Sequence, residues 1–318
     1  MKEKRIEQLP KKFKRNIFDL HAEKGKQWLD ELRDLIAEMS EKWSLAVDEP
    51  FPDLSYNFVA PCVCADGTNA VLKIGYNEKD SVIFSEAKFL TVLDGRGAVK
   101  LLRFDKNCCA LLLERLIPGE NLAKLCKTND EKATLIAIDV MRKICQQPPK
   151  NHDFPTLENW INKLQTAAET KFAPRLVAKA LNNFEELSDA SEQNLLLHGD
   201  LHHENILSAT RESFLAIDPK GVVGNIGYEI SVFLNNQRRL IWSRQNLREI
   251  LAERVEQFAE SFEIEPHILR RWAFVQAVLA AWWVFEDKGT GWEKWTTYAE
   301  IWEANADLPD KRKIYFLL

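Results

Sequence analysis

Apolar residues recur at three- and four-residue steps, or their sums, from Ile17 through Leu20, Trp28, Leu32, Ile36 and Met39 to Trp43. That period predicts one or two amphipathic helices before residue 44, with the break at Gly25. The period then shortens. Phe58–Cys64 and Ala70–Ile74 are strand-like runs around Asp66-Gly67, which predicts a β-hairpin. Ser81 to Leu93 returns to helical spacing, with Ile83, Ala87, Leu90 and Leu93 on or near one face. Ala98–Phe104 and Cys108–Glu114 read as two further strands joined by a turn at Asp105-Lys106-Asn107, and Pro118-Gly119 breaks the pattern. Beyond residue 120 the period is mostly helical. The exception is a set of short apolar strands, Leu195–Leu197, Ile206–Leu207 and Phe214–Asp218, around the polar loop His198–Asn205. The longest apolar stretch, Trp272–Phe285, is too short to span a bilayer and reads as a buried helix.

This pattern describes an α+β chain in three parts: an N-terminal helical segment (1–43), a small β-rich lobe (44–116) and a large helical lobe (117–318). Ligand sites favour the junction of two such lobes. Composition narrows the class. Lys and Arg total 43 against 48 Asp and Glu, a formal charge of -5, which argues against a nucleic-acid partner. Hydrophobic residues are 46% and charged residues 29%, the balance of a soluble globular protein. The six cysteines form no C-x-x-C pair, which argues against zinc, and the chain is long for a disulfide framework. Met1–Arg15 is basic without an apolar core, so a signal peptide is not expected. A reducing, cytoplasmic setting without a membrane partner follows as the expectation. The 12 glycines are few against the roughly 22 that average usage implies, so each marks a joint.

Phosphoryl transfer from a nucleotide needs few protein groups. A carboxylate orients the attacking hydroxyl, hard oxygen ligands hold Mg²⁺, and a cation fixes the phosphates. Asp200 and Asn205 stand at D-x-x-x-x-N spacing in His-Gly-Asp-Leu-His-His-Glu-Asn (198–205), and Asp218 ends the next apolar strand. Lys73 lies on Ala-Val-Leu-Lys, and Glu86 lies on the helix that follows.

The chain resembles the small-molecule kinases of the aminoglycoside phosphotransferase family, in its streptomycin/hydroxyurea phosphotransferase branch. His-Gly-Asp-Leu-His-His-Glu-Asn-Ile-Leu (198–207) and Ile-Asp-Pro-Lys-Gly (217–221) carry the likeness. Residues 65–75, 93–97 and 113–119 support it in family order. The resemblance implies a two-lobed protein-kinase-like fold and an ATP- and Mg²⁺-dependent transfer to a small-molecule hydroxyl. The acceptor it implies is a streptomycin-type aminoglycoside or hydroxyurea, in an antibiotic-resistance role. Asp200 would be the catalytic base, with Asn205 and Asp218 holding Mg²⁺. Lys73, paired with Glu86, would contact the ATP phosphates. Ser55, Tyr56 and Asn57 would cover the phosphates from a loop that lacks the usual glycines. Glu114-Arg115-Leu116 would be the hinge beside adenine, with Leu113 at the pocket mouth. Asp-Pro-Lys replaces Asp-Phe-Gly, and no Ala-Pro-Glu follows, which favours a constitutive small-molecule kinase.

His198 reads as a loop-fixing hydrogen-bonder, His202 and His203 as structural or substrate-facing, and Glu229 as a support for the loop. For Lys220, contact with phosphate or substrate and plain solvation stay open. Glu286 and Asp287, ending the apolar helix, are the acceptor-binding candidates, together with Lys220. The C-terminal tryptophans are mostly packing residues. Two rivals stand beside the leading reading. One is a kinase of another metabolite (choline, homoserine, sugar or fructosamine type). The other is a pseudokinase-like binding protein without catalysis.

Overall fold

The structure, a computed structural model, describes residues 9–78, 81–189, 194–236 and 247–304. The chain divides into two compact units: Met1–Gly119 with Ala209–Ser213, and Glu120–Ser208 with Phe214–Leu318.

In the first unit, one helical element covers Lys11–Trp43 and buries Phe13, Ile17, Trp28, Leu32, Ile36, Met39 and Trp43 along one stripe. It is interrupted at Ala22 (φ 49, ψ -132), not at Gly25. The kink brings the next turn so close that a Cβ on Gly25 would lie 2.6 Å from the Ile17 carbonyl oxygen. Gly25 therefore permits the contact that the kink creates; it does not make the kink.

The helix packs on a five-stranded sheet in the order β1-β2-β3-β5-β4, with β1 Leu45–Val47, β2 Phe58–Cys64, β3 Asn69–Ile74, β4 Leu101–Asp105 and β5 Ala110–Glu114. All four pairings are antiparallel. Phe58, Ala60, Cys62, Ala70, Leu72, Ile74, Ala110 and Leu112 share one core with the helix. Successive strand side chains point to opposite faces. Lys73, between Leu72 and Ile74, therefore faces away from that core.

The strands β4 and β5 begin later than their apolar runs. Asp105 accepts hydrogen bonds at Oδ1 from the backbone N–H groups of Asn107 and Cys108, both 2.9 Å, and Cys109 adopts φ 51. This Asx-type turn draws Cys108 and Cys109 out of the ladder.

The second unit is mostly helical. Its strands form a three-stranded sheet, β6-β8-β9, and a two-stranded one, β7-β10. Pro118–Asn121 forms β6, where the sequence suggested only a break. Leu195–Leu197 (β7) pairs antiparallel with Val222–Gly224 (β10), and Ile206–Ala209 (β8) with Phe214–Ala216 (β9). The helix Ile226–Asn235 is buried along its length against the helix Pro266–Lys288. The latter has 23 residues, so the expectation that it is too short for a bilayer fails on length. Burial makes it a core helix: 72% of its most apolar window is covered by protein.

The shared core of helix and sheet gives a stability prediction. Leu72→Ala, at a fully buried site, lowers stability by about 2–5 kcal/mol, read as a lower urea midpoint. Leu135→Ala, at an exposed helix position, stays within about 0.5 kcal/mol of the parent. Equal midpoints for the two variants contradict this core.

Candidate active site

The polar loop of the second unit is held by a buried carboxylate. Glu229, fully buried in the first turn of the helix Ile226–Asn235, accepts the Gly199 N–H at 2.8 Å and the Leu201 N–H at 3.2 Å. Asp200 lies between those two donors, so its backbone is clamped on both sides while its side chain stays a third exposed. Gly199 adopts φ +81, and a Cβ there would meet Trp160 and Val222 at 3.0 Å. Only glycine fits that turn.

His198 closes the loop from the other side. Its Nε2–H donates to the Ile217 carbonyl at 2.9 Å, while Nδ1 accepts the Asp200 N–H at 3.3 Å. A carbonyl only accepts, so the tautomer carries its proton on Nε2. Burial pushes the His198 pKa down to about 4, against the pull of the Ile217 hydrogen bond and the nearby carboxylates. Burial pushes the Glu229 pKa up to about 7, opposed by its backbone donors.

Asn205 is buried and donates from Nδ2 to the Asp200 carbonyl at 2.9 Å, a bond that does not use its amide oxygen. The Ile217 N–H donates to the Asn205 carbonyl at 2.9 Å, and Ile206 pairs with Ala216. The hairpin therefore sets Asn205 beside the segment carrying Asp218. Asp218 is exposed and sits in the left-handed region at φ 62, a conformation an aspartate adopts at a cost. An amide oxygen and a carboxylate are hard ligands. They suit Mg²⁺, which keeps several waters and takes its other oxygens from phosphates. Among the described residues, no three His, Cys, Asp or Glu side chains converge on a metal-sized space.

Lys220 turns back onto the same loop. Its backbone N–H donates to the His198 carbonyl at 2.8 Å, and its Nζ lies 3.2 Å from Asp200 Oδ2. The ammonium also sits over the Trp283 ring, 5.2 Å from its centroid. Glu286 and Asp287 are exposed at the end of the helix that carries Trp283, with Glu286 one turn on from it.

The remaining histidines take structural positions. His202 accepts the Glu204 N–H at Nδ1, 3.2 Å. His203 is fully buried, stacked on Phe233 at 3.9 Å, and faces Arg254 through Nε2 at 3.3 Å. Burial and the Arg254 charge hold its pKa well below the usual histidine value. Arg254, itself buried, pairs with Asp130 at 2.6 and 2.9 Å. Sequence spacing did not reveal this support under the loop, because its members are far apart in the chain.

In the first unit, Lys73 Nζ and Glu86 Oε2 form a buried pair at 2.5 Å. Desolvating two charges costs about what their attraction returns, so such a pair is weak evidence of a stabilising role. The loop Asp48–Asn57 joins β1 to β2. The Ser55 carbonyl accepts from Asn16 Nδ2 at 3.0 Å, Tyr56 is exposed and Asn57 half-buried. Glu114 is engaged on every side. Its N–H donates to the Lys100 carbonyl at 2.9 Å, and its carboxylate accepts from Arg211 Nε and Nη2 at 3.1 and 3.0 Å. Arg211 also reaches the Gly95 and Ala98 carbonyls, a cluster the sequence did not reveal. Leu116 is half-buried beyond it and Leu113 is buried.

A sheet carrying a Lys–Glu pair, followed by a helical unit with a clamped His-Gly-Asp loop and an Asn–Asp hairpin, is a two-lobed kinase-like architecture. The fold is shown by likeness to a choline/ethanolamine kinase family protein from Mesorhizobium loti (TM-score 0.63, 13% identity, covering 88% of this chain and 95% of that one). The chain belongs to the aminoglycoside/hydroxyurea antibiotic resistance kinase family, whose sequence model matches residues 42–289. It is a phosphotransferase of the small-molecule kinase class. Streptomycin 6-kinase of Streptomyces griseus is 26% identical over 273 residues, 84% of this chain and 87% of that protein. Hydroxyurea phosphotransferase of Kitasatospora aureofaciens is 31% identical over 231 residues, 67% of this chain and 63% of that protein.

The two shifted groups beside Asp200 act oppositely on stability. Unfolded His198 gains a proton below about 6.5 that the folded form refuses down to about 4, so its contribution rises with pH in that window. Folded Glu229 keeps a proton up to about 7 that the unfolded form loses near 4.5, so its contribution falls with rising pH there. Glu229→Gln removes the falling part. Its urea midpoint rises more between pH 5 and pH 7 than the parent's does; an equal rise contradicts the buried environment of Glu229.

Proposed function

We propose that the protein transfers the γ-phosphate of ATP, as Mg·ATP, to a hydroxyl of a small molecule, with streptomycin-type aminoglycosides first and hydroxyurea second, in an antibiotic-resistance role. The observation that carries this reading is the clamped loop that holds Asp200 and runs into the β8–β9 hairpin, whose two ends carry Asn205 and Asp218. Family membership and the two relatives above support the acceptor class.

Asp200 is the base. The acceptor oxygen forms a bond to the γ-phosphorus as the bond from that phosphorus to the β–γ bridging oxygen breaks. The hydroxyl proton goes to the Asp200 carboxylate and ADP leaves. Asn205 and Asp218 hold Mg²⁺, which when bound neutralises phosphate charge. Lys73, oriented by Glu86, binds the nucleotide phosphates. Ser55, Tyr56 and Asn57 cover the phosphates from the β1–β2 loop. The hinge Glu114-Arg115-Leu116 offers backbone groups to adenine, other than the Glu114 N–H, which donates to the Lys100 carbonyl. Glu286 and Asp287 supply negative charge suited to a polycationic acceptor. An acid excess across the chain is consistent with such a partner and not with a nucleic acid.

Incubation with Mg·ATP and streptomycin, hydroxyurea or choline, read by mass, tests the acceptor class. Streptomycin gains one phosphoryl group. Phosphorylation of choline alone favours the metabolite-kinase alternative. Asp200→Ala loses roughly 10²–10⁴-fold in turnover and keeps the thermal shift given by Mg·ATP. Turnover near that of the parent contradicts the role of Asp200.

A further inference from the structure

Lys220 lies one residue past Pro219 and is fixed at both ends. Its backbone N–H, followed by that of Gly221, donates to the His198 carbonyl at 2.8 and 3.1 Å. Its Nζ meets Asp200 Oδ2 at 3.2 Å, and among the described residues it is the one cation paired with that carboxylate. On its other side it rests on Trp283. Trp283 is braced in turn: Trp160 packs edge-on against it at 5.5 Å, and Tyr228 packs against Trp160 at 6.0 Å. Trp160 also abuts the place a Cβ would occupy on Gly199. A flexible lysine is therefore fixed at its backbone and engaged twice at its ammonium. A solvated lysine has no such constraint, and a lysine kept for the acceptor would not have both flanks of its ammonium already engaged.

We propose that Lys220 is a positioning residue for Asp200: seated on the Trp283 indole, its ammonium holds the Asp200 carboxylate in the orientation that meets the acceptor hydroxyl. This rests on the reading of Asp200 as the base. Among the described residues no side chain other than Lys220 pairs with the carboxylate, whereas its backbone is clamped by Glu229, so the lysine completes what the backbone clamp leaves undone. Trp283 acts through Lys220 and not on the acceptor. The indole face that carries Lys220 is taken by the protein's own cation, so that face is not a cation–π platform for an aminoglycoside.

The test is steady-state kinetics with Mg·ATP and streptomycin for the parent, Lys220→Met, Lys220→Arg, Trp283→Leu and the Lys220→Met/Trp283→Leu double variant. Lys220→Met lowers kcat roughly 100-fold with both KM values within about threefold, the signature of a group that matters in the transition state. Lys220→Arg recovers kcat to within about tenfold of the parent, since it keeps the charge with a different geometry. Trp283→Leu costs about fivefold alone and nothing further in the Lys220→Met background, because coupled residues do not add. An unchanged kcat in Lys220→Met overturns the proposal. So does a rise confined to the streptomycin KM, and so does an undiminished Trp283→Leu cost in the double variant.

A second measurement needs no turnover. In ¹³C-lysine-labelled protein, the Lys220 ε-methylene signal, identified by its loss in Lys220→Met, lies upfield of the solvated lysines and joins them in Trp283→Leu. A signal already among the solvated lysines in the parent overturns the seating. Absence of transfer by the parent, or full turnover by Asp200→Ala, defeats the phosphotransferase reading instead, and the ε-methylene signal still decides where Lys220 sits.

Discussion

A fully buried carboxylate is expensive to keep, and Glu229 is kept because two backbone N–H groups point at it. Gly199 and Leu201 both donate to it, and the residue between them is Asp200. Everything else in the second unit's site is arranged around that strut. His198 joins the loop to Ile217, Asn205 ties its own side chain to the Asp200 carbonyl, and the Asp-Pro-Lys-Gly turn closes back onto His198. Without the strut, the Gly199 and Leu201 donors would be buried and unpaired, which costs about 1–3 kcal/mol each. The loop then has no reason to hold Asp200 side chain outward.

The first unit solves a comparable problem differently. Period-two alternation on β3 sends Ala70, Leu72 and Ile74 into the core under the long helix and leaves Lys73 on the opposite face. There it meets Glu86, from the buried side of the helix Val82–Leu93. The pair is charge kept out of water, whose attraction returns little more than its desolvation costs. In both units the polar group to which the proposed function gives a chemical task is held by a partner to which it gives none.

Much of this was legible in the sequence, and the reason is locality. Asn205 and Asp218 flank one short β-hairpin and Asp200 lies in the loop that leads into it, so all three fall within one short stretch of chain. Lys73 and Glu86 are separated by one strand end and one helix start. What escaped was non-local. Arg254 reaches Asp130 and His203 from a distant helix, Arg211 reaches Glu114 from 97 residues further along the chain, and Trp283 reaches Lys220 from the core helix. Apolar periodicity reports which face is buried, not which partner buries it. The short strand β6, Pro-Gly-Glu-Asn, has no apolar run to read, and β10 is three residues long, whereas β7 showed as a run of three leucines. The kink was placed at Gly25 because glycine marks flexibility, whereas the chain bends at Ala22 and uses glycine for the close approach that results.

The central claim is a single direct transfer in which Asp200 receives the acceptor proton and no side chain carries the phosphoryl group. His198 and His203, the buried imidazoles flanking Asp200, are engaged in structural hydrogen bonding and packing, which fits that claim. The stereochemistry at phosphorus tests it most directly. With ATP made chiral at the γ-phosphorus by oxygen isotopes and streptomycin as acceptor, one in-line displacement inverts the configuration in the phosphorylated product. Inversion is the result this account predicts. Retention would require two displacements through a phosphorylated residue and would contradict it.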